Sequence, residues 1–378
     1  MRRTILCAAL ALSVLVPANA QVFGKATNIP AQGSYTPSFK VDGAKKRPLN
    51  IILMIGDGTG LAQISAGFYA NGGELTLTNL RTLGLVSTQS ADDYTTDSAA
   101  SGTAYACGQK TNNWVVGVDT EGKPIPNLPE KLAPLGIVSG IVTTDEMDGA
   151  TPSSFFAHQA NRGMSAEIWG DLPSSSIIFF AAGSKENFER QSEATREAVR
   201  SRFVVTDSLD PALRDAPRLG YLPPASETQS MKYGRDDFLP ASTTYAIDFL
   251  MRHKTARRKG FFLMVEGARI DKSCHANEFE PAVKEMLDFD KAIEAAIRFA
   301  EKDGNTLVLV TADHETGGLS LCHEGNPAEG TVAGWFVTSG HTPIPVPIYA
   351  YGPHSQDFIG MQGNEEVSRK IFSLLSGK

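Results

Sequence analysis

Seven short runs of this chain are almost wholly apolar and rich in β-branched residues: Leu49–Ile55, Leu83–Thr88, Ile137–Thr143, Ile177–Ala181, Phe261–Val265, Thr306–Thr311 and Val346–Tyr351. Between many of them apolar positions recur at helical spacing, most clearly over Glu278–Lys302 and Glu365–Leu375. A strand that is apolar on both faces needs cover on both faces, and amphipathic helices supply it. The alternation predicts an α/β fold, a three-layer αβα sandwich around a central, mostly parallel sheet. In such sheets sites form where strands end and loops begin. Several runs here end in polar chemistry, at Gly56-Asp57-Gly58, Thr144-Asp145-Glu146, Glu266-Gly267 and Asp313-His314-Glu315.

The flanks of this pattern are different. Arg2 and Arg3, an apolar stretch from Ile5 to Val16 and a small-residue site at Ala18-Asn19-Ala20 read as a secretory signal peptide, cleaved after Ala20. The apolar stretch is too short to span a bilayer, and no later segment is long and apolar enough to do so, so no membrane partner is expected. A periplasmic or secreted location follows. Residues 21–46 are polar and read as an extended N-terminal arm, leaving 47–378 as one domain. Within it, residues 163–240 are less regular, with an exposed helix expected over Gln191–Arg202. The basic run 252–259 reads as a solvated helix end before a strand.

The formal charge is −7 for 378 residues, and −9 once Arg2 and Arg3 are removed with the leader. An acidic chain is a poor nucleic-acid binder, so no nucleic-acid partner is expected. Positive charge for an anionic substrate would have to be local, and metal ions are one source of it. Beyond the leader the chain has Cys107, Cys274 and Cys322, too few for a disulfide framework.

The run Thr95-Thr96-Asp97-Ser98-Ala99-Ala100 starts a helix of small residues. It sets the Ser98 hydroxyl at the positive end of a helix dipole, where anions bind. No histidine is near it in sequence, so a nucleophilic Ser98 would need another means of ionisation, such as a metal ion. Candidate ligands are present. Asp271 and His275 are four apart and can share a face. Asp313 and His314 follow the strand 306–311, His341 sits on a Gly-flanked turn, and Asp57 follows the first strand. Glu266 ends another strand, and Thr151 offers a hydroxyl. Together these supply two nitrogen/oxygen sites suited to zinc and one all-oxygen site suited to magnesium.

Two decoys are set aside. Gly56-Asp57-Gly58-Thr59-Gly60 resembles a dinucleotide loop, but Leu61 occupies the third glycine's place and Asp57 would repel a pyrophosphate. His314-Glu315 begins like a zinc-peptidase helix but lacks the second histidine. His158, His253, His323 and His354 have no ligand-like context.

With these residues in view, the chain resembles the alkaline phosphatase family, in particular its short, cold-adapted bacterial members. The matching blocks are Met54–Gly58, Thr96–Ala100, Ala150-Thr151-Pro152 leading to Arg162, Glu266–Asp271 with His275, and Thr311–Gly318 followed by His341. The resemblance implies hydrolysis of phosphate monoesters at alkaline pH through a phosphoserine on Ser98, with two zinc ions and one magnesium ion. Asp271, His275 and His341 would hold the first zinc, and Asp57, Asp313 and His314 the second. Asp57, Thr151 and Glu266 would hold magnesium. Arg162 would clamp two phosphate oxygens with its planar fork, Asp97 would orient Arg162 and cap the helix, and Lys272 would reach phosphate through water. A homodimer is implied on the same ground. The family often carries Asp or His at the position of Gly149, where it orders the magnesium shell; Gly149 provides no side chain, and Asp148 is not favoured as a substitute. A sulfatase is disfavoured because Ser98-Ala99-Ala100-Ser101-Gly102 lacks the required Pro and Arg. A phosphoglycerate mutase is disfavoured by the absence of a large inserted domain. Arg162 favours monoesters over diesters, and a non-enzymatic metal- or phosphate-binding protein would not need Ser98.

Overall fold

A computed structural model describes residues 21–377, so the expected signal peptide lies outside the described residues. All seven apolar runs are strands of one ten-stranded sheet. Its order runs Gly360–Gly363, Thr82–Ser87, Val346–Tyr351, Thr306–Thr311, Asn50–Gly56, Phe261–Gly267, Val138–Glu146, Ile177–Gly183, Leu219–Tyr221, Val204–Thr206. Only Val346–Tyr351 runs against the rest. The central strand Asn50–Gly56 shows why the layers number three. Ile52 and Met54 point into one apolar core, while Ile51, Leu53 and Ile55 point into a second on the opposite face.

The first core is closed by the long helix Phe279–Asp303, which buries Phe279, Ala282, Val283, Met286, Phe289, Ile293 and Ile297. That spacing is a helical stripe facing the sheet. The helix stops at Gly304, whose φ of +70° lets its N–H reach back to the Ala300 carbonyl. The second core is closed by Ser98–Cys107 and Asn364–Ser376, among others. Among the described residues no helix is long and apolar enough to cross a membrane.

Three segments differ from the pattern-based expectation. Leu83–Thr88 reads as a strand covered on both faces, yet its burial alternates, with Leu83 45% and Leu85 39% exposed near the sheet edge. The arm 21–46 begins with a strand, Val22–Thr27, paired antiparallel with Thr331–Phe336 in a separate three-stranded sheet. Lower hydrophobicity hid it: four of its six residues are exposed. The rest of the arm is irregular, turning over residues 39–44, and is tied down, with the Gln32 amide donating to the Leu287 carbonyl at 2.8 Å and the Tyr35 hydroxyl to Glu301. The irregular stretch 163–240 widens the main sheet by three strands. It is locked by Arg235, whose buried guanidinium lies 2.6 Å from both Glu285 and Asp288 of the long helix. Burial pushes Asp288 up to about 6, although Arg235 opposes this.

Candidate active site

Four neighbouring parallel strands deliver the chemistry at their C-terminal ends. Asp57 follows Asn50–Gly56, Glu266 lies at the end of Phe261–Gly267, Asp313 and His314 follow Thr306–Thr311, and Thr143 and Asp145 end Val138–Glu146. This is the edge where open α/β sheets bind their ligands. The short helix Arg269–His275 adds Asp271 and His275 one turn apart.

Ser98 is the first residue of the helix Ser98–Cys107. Asp97 caps that helix, its Oδ1 accepting from the Ala100 N–H at 2.9 Å. The other oxygen, Oδ2, receives Arg162 Nη1 at 3.1 Å. One carboxylate therefore fixes both the start of the Ser98 helix and the Arg162 guanidinium. Ser98, Asp97, Arg162, Trp114, Asp271, His275 and His341 line one cavity of about 480 Å³.

Sequence proximity placed no histidine near Ser98, and the fold corrects this. His314 Nε2 lies 3.1 Å from Ser98 Oγ. The same nitrogen is also 3.0 Å from Asp313 Oδ2 and 3.5 Å from Asp57 Oδ1. A serine–histidine–aspartate relay needs the carboxylate on the opposite ring nitrogen. Here three oxygens crowd one nitrogen, which can offer a single proton at most. Convergence of this kind is the arrangement of a coordination sphere.

The donor atoms form two groups, Asp57–Asp313–His314 and Asp271–His314–His341, each within 4.8 Å of one another. His275 joins the second: its Nε2 is 3.3 Å from Asp271 Oδ2 and 3.1 Å from His341 Nε2. Both of these imidazoles use Nδ1 on a backbone carbonyl, His275 on Ser339 at 2.5 Å and His341 on Thr96 at 2.8 Å. With the ring proton on Nδ1, two Nε2 lone pairs face each other and repel unless a cation lies between them. Asp57 Oδ1 and Thr151 Oγ1 are buried without a hydrogen-bond partner, an arrangement that water or a cation must relieve. The charge balance points the same way. Burial, then Asp313, Asp271 and Glu266, raise Asp57 well above the usual carboxylate range. Burial and Asp145 push Glu266 up to about 8. Burial, then His314, push His341 down to about 4. The residues present fit metal ions.

Other expected residues sit differently. Lys272 does not line the cavity with Ser98; its ammonium pairs with Asp145. Asp148 accepts from the Ser165 hydroxyl and is absent from both ligand groups. Asp145 instead fills the space beside Gly149: a Cβ built on Gly149 would lie 2.6 Å from Asp145 Oδ2. Cys274 is buried near Gln63 and is absent from both ligand groups. Residue spacing gave no sign of several supporting groups. Thr316 donates to Asp271 Oδ1 at 2.5 Å and touches His314 Nδ1 at 3.2 Å, and the Thr143 hydroxyl donates to Glu266. Thr316 belongs to the block 311–318, but its role depends on Asp271, 45 residues away.

Comparison with known proteins gives the family. A family model described as alkaline phosphatase matches residues 48–177 and 232–333. Alkaline phosphatase 4 of Bacillus subtilis is 32% identical, over 86% of this chain and 88% of its own. The solved alkaline phosphatase from the Antarctic bacterium TAB5 superposes with a TM-score of 0.82 at 38% identity, covering 88% of this chain and 100% of that one. A mutant of the TAB5 enzyme with magnesium bound gives the same TM-score, 0.82, at 35% identity, over 89% of this chain and 99% of that one. The chain belongs to the alkaline phosphatase family and is a phosphoric monoester hydrolase.

Proposed function

We propose that this enzyme hydrolyses phosphate monoesters in two in-line displacements, with Ser98 as the nucleophile and a phosphoserine between them. The observation that carries this is the single cavity shared by Ser98, Arg162 and the ligands Asp271, His275 and His341, with the Asp57–Asp313–His314 group reaching Ser98 through His314 at 3.1 Å. Arg162 grips two non-bridging oxygens of the terminal phosphoryl group, which a monoester has free and a diester does not. Asp97 holds that fork in place. The helix start beneath Ser98 adds a partial positive charge under the anion. In the first displacement the Ser98 oxygen forms the bond to phosphorus as the ester oxygen departs, releasing the alcohol. In the second, water oxygen replaces the Ser98 oxygen and inorganic phosphate leaves.

Asp271, His275 and His341 would hold one zinc ion; Asp57, Asp313 and His314 a second; and Asp57, Thr151 and Glu266 a magnesium ion. When bound, such ions supply the charge that ionises the serine and stabilises the attacking and leaving oxygens. His314 stands between the two nitrogen-bearing groups, so its ring orientation, set through Thr316, serves both. A magnesium-bound mutant of the TAB5 relative supports the all-oxygen site. Export is proposed on the signal-peptide pattern of residues 1–20 and a homodimer on the resemblance alone; N-terminal sequencing of exported protein and light scattering test them.

The direct test compares an aryl phosphate, an aryl diester and an aryl sulfate at alkaline pH, with and without chelator, for wild type and Ser98→Ala. Turnover of the monoester, lost on chelation and in the variant, is expected. Monoester turnover that survives both treatments would falsify the mechanism.

A further inference from the structure

Two residues of the cavity, Thr95 and Trp114, have no part in that chemistry. Trp114 lines the same cavity as Ser98 and Arg162 and is 61% exposed. Its backbone is in the left-handed region, with φ of +72°. Bulky residues rarely adopt it, because Cβ crowds the following carbonyl. Glycine or asparagine would take that conformation more easily, yet the chain places its largest side chain there.

The conformation is enforced from both sides. Before it, Asn113 is stitched to the nucleophile loop: its Oδ1 accepts from the Asp97 N–H at 2.8 Å, its Nδ2 donates to the Thr95 carbonyl at 3.0 Å, and its own N–H donates to Asp92 at 2.9 Å. After it, the Arg162 N–H donates to the Trp114 carbonyl at 2.7 Å, and Val116 pairs with Gln159. The peptide is thus clamped between the loop that carries Ser98 and the residue that grips phosphate. The indole is aimed by the fold rather than by its own preference. Strain kept at a site in this way is a sign of use. The guanidinium carbon of Arg162 is 6.0 Å from the indole centroid.

We propose that Trp114 is a specificity-determining residue: its exposed indole stacks on the leaving group, favouring phosphate monoesters whose ester oxygen is carried by an aromatic ring. A ring bonded to that oxygen lies beside the gripped phosphoryl group, within reach of the indole face. Offset or edge-to-face ring pairs gain more than aliphatic groups of similar area. Because the contact exists in both the bound substrate and the transition state of the first displacement, its loss appears mainly in KM.

This inference rests on the monoesterase reading above. The experiment measures kcat/KM for phenyl phosphate and for ethyl phosphate with wild type, Trp114→Phe and Trp114→Gly. The aryl-to-alkyl ratio is expected to fall about 3- to 10-fold in Trp114→Gly, the span of typical ring-pair energies, through a higher KM, and to be largely restored in Trp114→Phe. A ratio unchanged in Trp114→Gly overturns the proposal, since Trp114 would then act only as backbone. A second readout needs no variant to turn over substrate. Phenylphosphonate is expected to shift wild-type tryptophan emission more than methylphosphonate does, with the difference absent in Trp114→Phe; equal shifts overturn the proposal. Wild type inactive on both esters would instead refute the monoesterase reading.

Discussion

Asp97 performs two tasks with two oxygens, and two substitutions separate them. Asp97→Asn keeps a side-chain oxygen for the Ala100 N–H, and Asn caps helices about as well as Asp. It removes the negative charge that faces Arg162. Asp97→Ala removes both. Loss of an N-cap costs about 1 kcal/mol, so Asp97→Ala is expected to unfold at lower urea than wild type, while Asp97→Asn stays close to it. The Arg162–Asp97 pair spans 3.1 Å with side chains 30% and 11% exposed. A pair this wet contributes about 0.2–1 kcal/mol, or about 5-fold in affinity at most. In the proposed mechanism Arg162 grips the same phosphoryl oxygens in substrate and product. Freeing it therefore raises KM and the inhibition constant for inorganic phosphate together, by up to about 5-fold, with kcat within about 2-fold. Steady-state kinetics with phosphate as inhibitor, and urea titrations, read these quantities. A kcat lowered about 100-fold at constant KM in Asp97→Asn would refute the reasoning, because Asp97 would then act on the reacting atoms. Equal urea midpoints for the two variants would refute the cap.

Three further expectations follow from other parts of the molecule. Arg235→Met leaves Glu285 and Asp288 buried without their cation and should cost about 3–5 kcal/mol in urea unfolding; a cost below about 1 kcal/mol would show that the pair is dispensable. Gly149→Asp drives its new carboxylate toward Asp145 and the Lys272 pair, so its magnesium activation curve should differ from wild type, and adding Asp145→Ala should relieve the collision; superimposable curves for all three proteins would remove the idea. Chelation should lower the melting temperature as well as the activity, because Asp57, Asp313, Asp271 and Glu266 then repel one another without a counter-charge, and zinc should restore it where sodium chloride does not; a melting curve indifferent to chelator would argue against bound cations in the folded protein.

Much of the architecture is legible in the chain because burial on both faces of a strand leaves a continuous apolar signature. Each of the seven apolar runs is a strand of the main sheet, and the long helix runs within one residue of its expected ends. Strands with one wet face, or with glycine at a crossing, leave no such signature. Val22–Thr27 went unseen for this reason, since Gly24 is pressed against Phe279 and carries no apolar side chain to mark it. Leu83 and Leu85 mislead in the other direction, because an apolar residue near a sheet edge looks like a buried one until its neighbours are known.

For the site, residue identity offered Ser98 and the ligand types as candidates, because those are properties of functional groups, and the family resemblance added Arg162. The apolar runs also located Asp57, Glu266, Asp313 and His314, since the runs stop there. Which groups meet was decided only by the tertiary structure. His314 comes within 3.1 Å of Ser98 from 216 residues away, Asp145 takes the space beside Gly149, and Lys272 pairs with Asp145 rather than lining the cavity. The physical reason is that side-chain chemistry is local in sequence, whereas distance, field and free volume are set by the register of parallel strands whose ends come from every part of the chain.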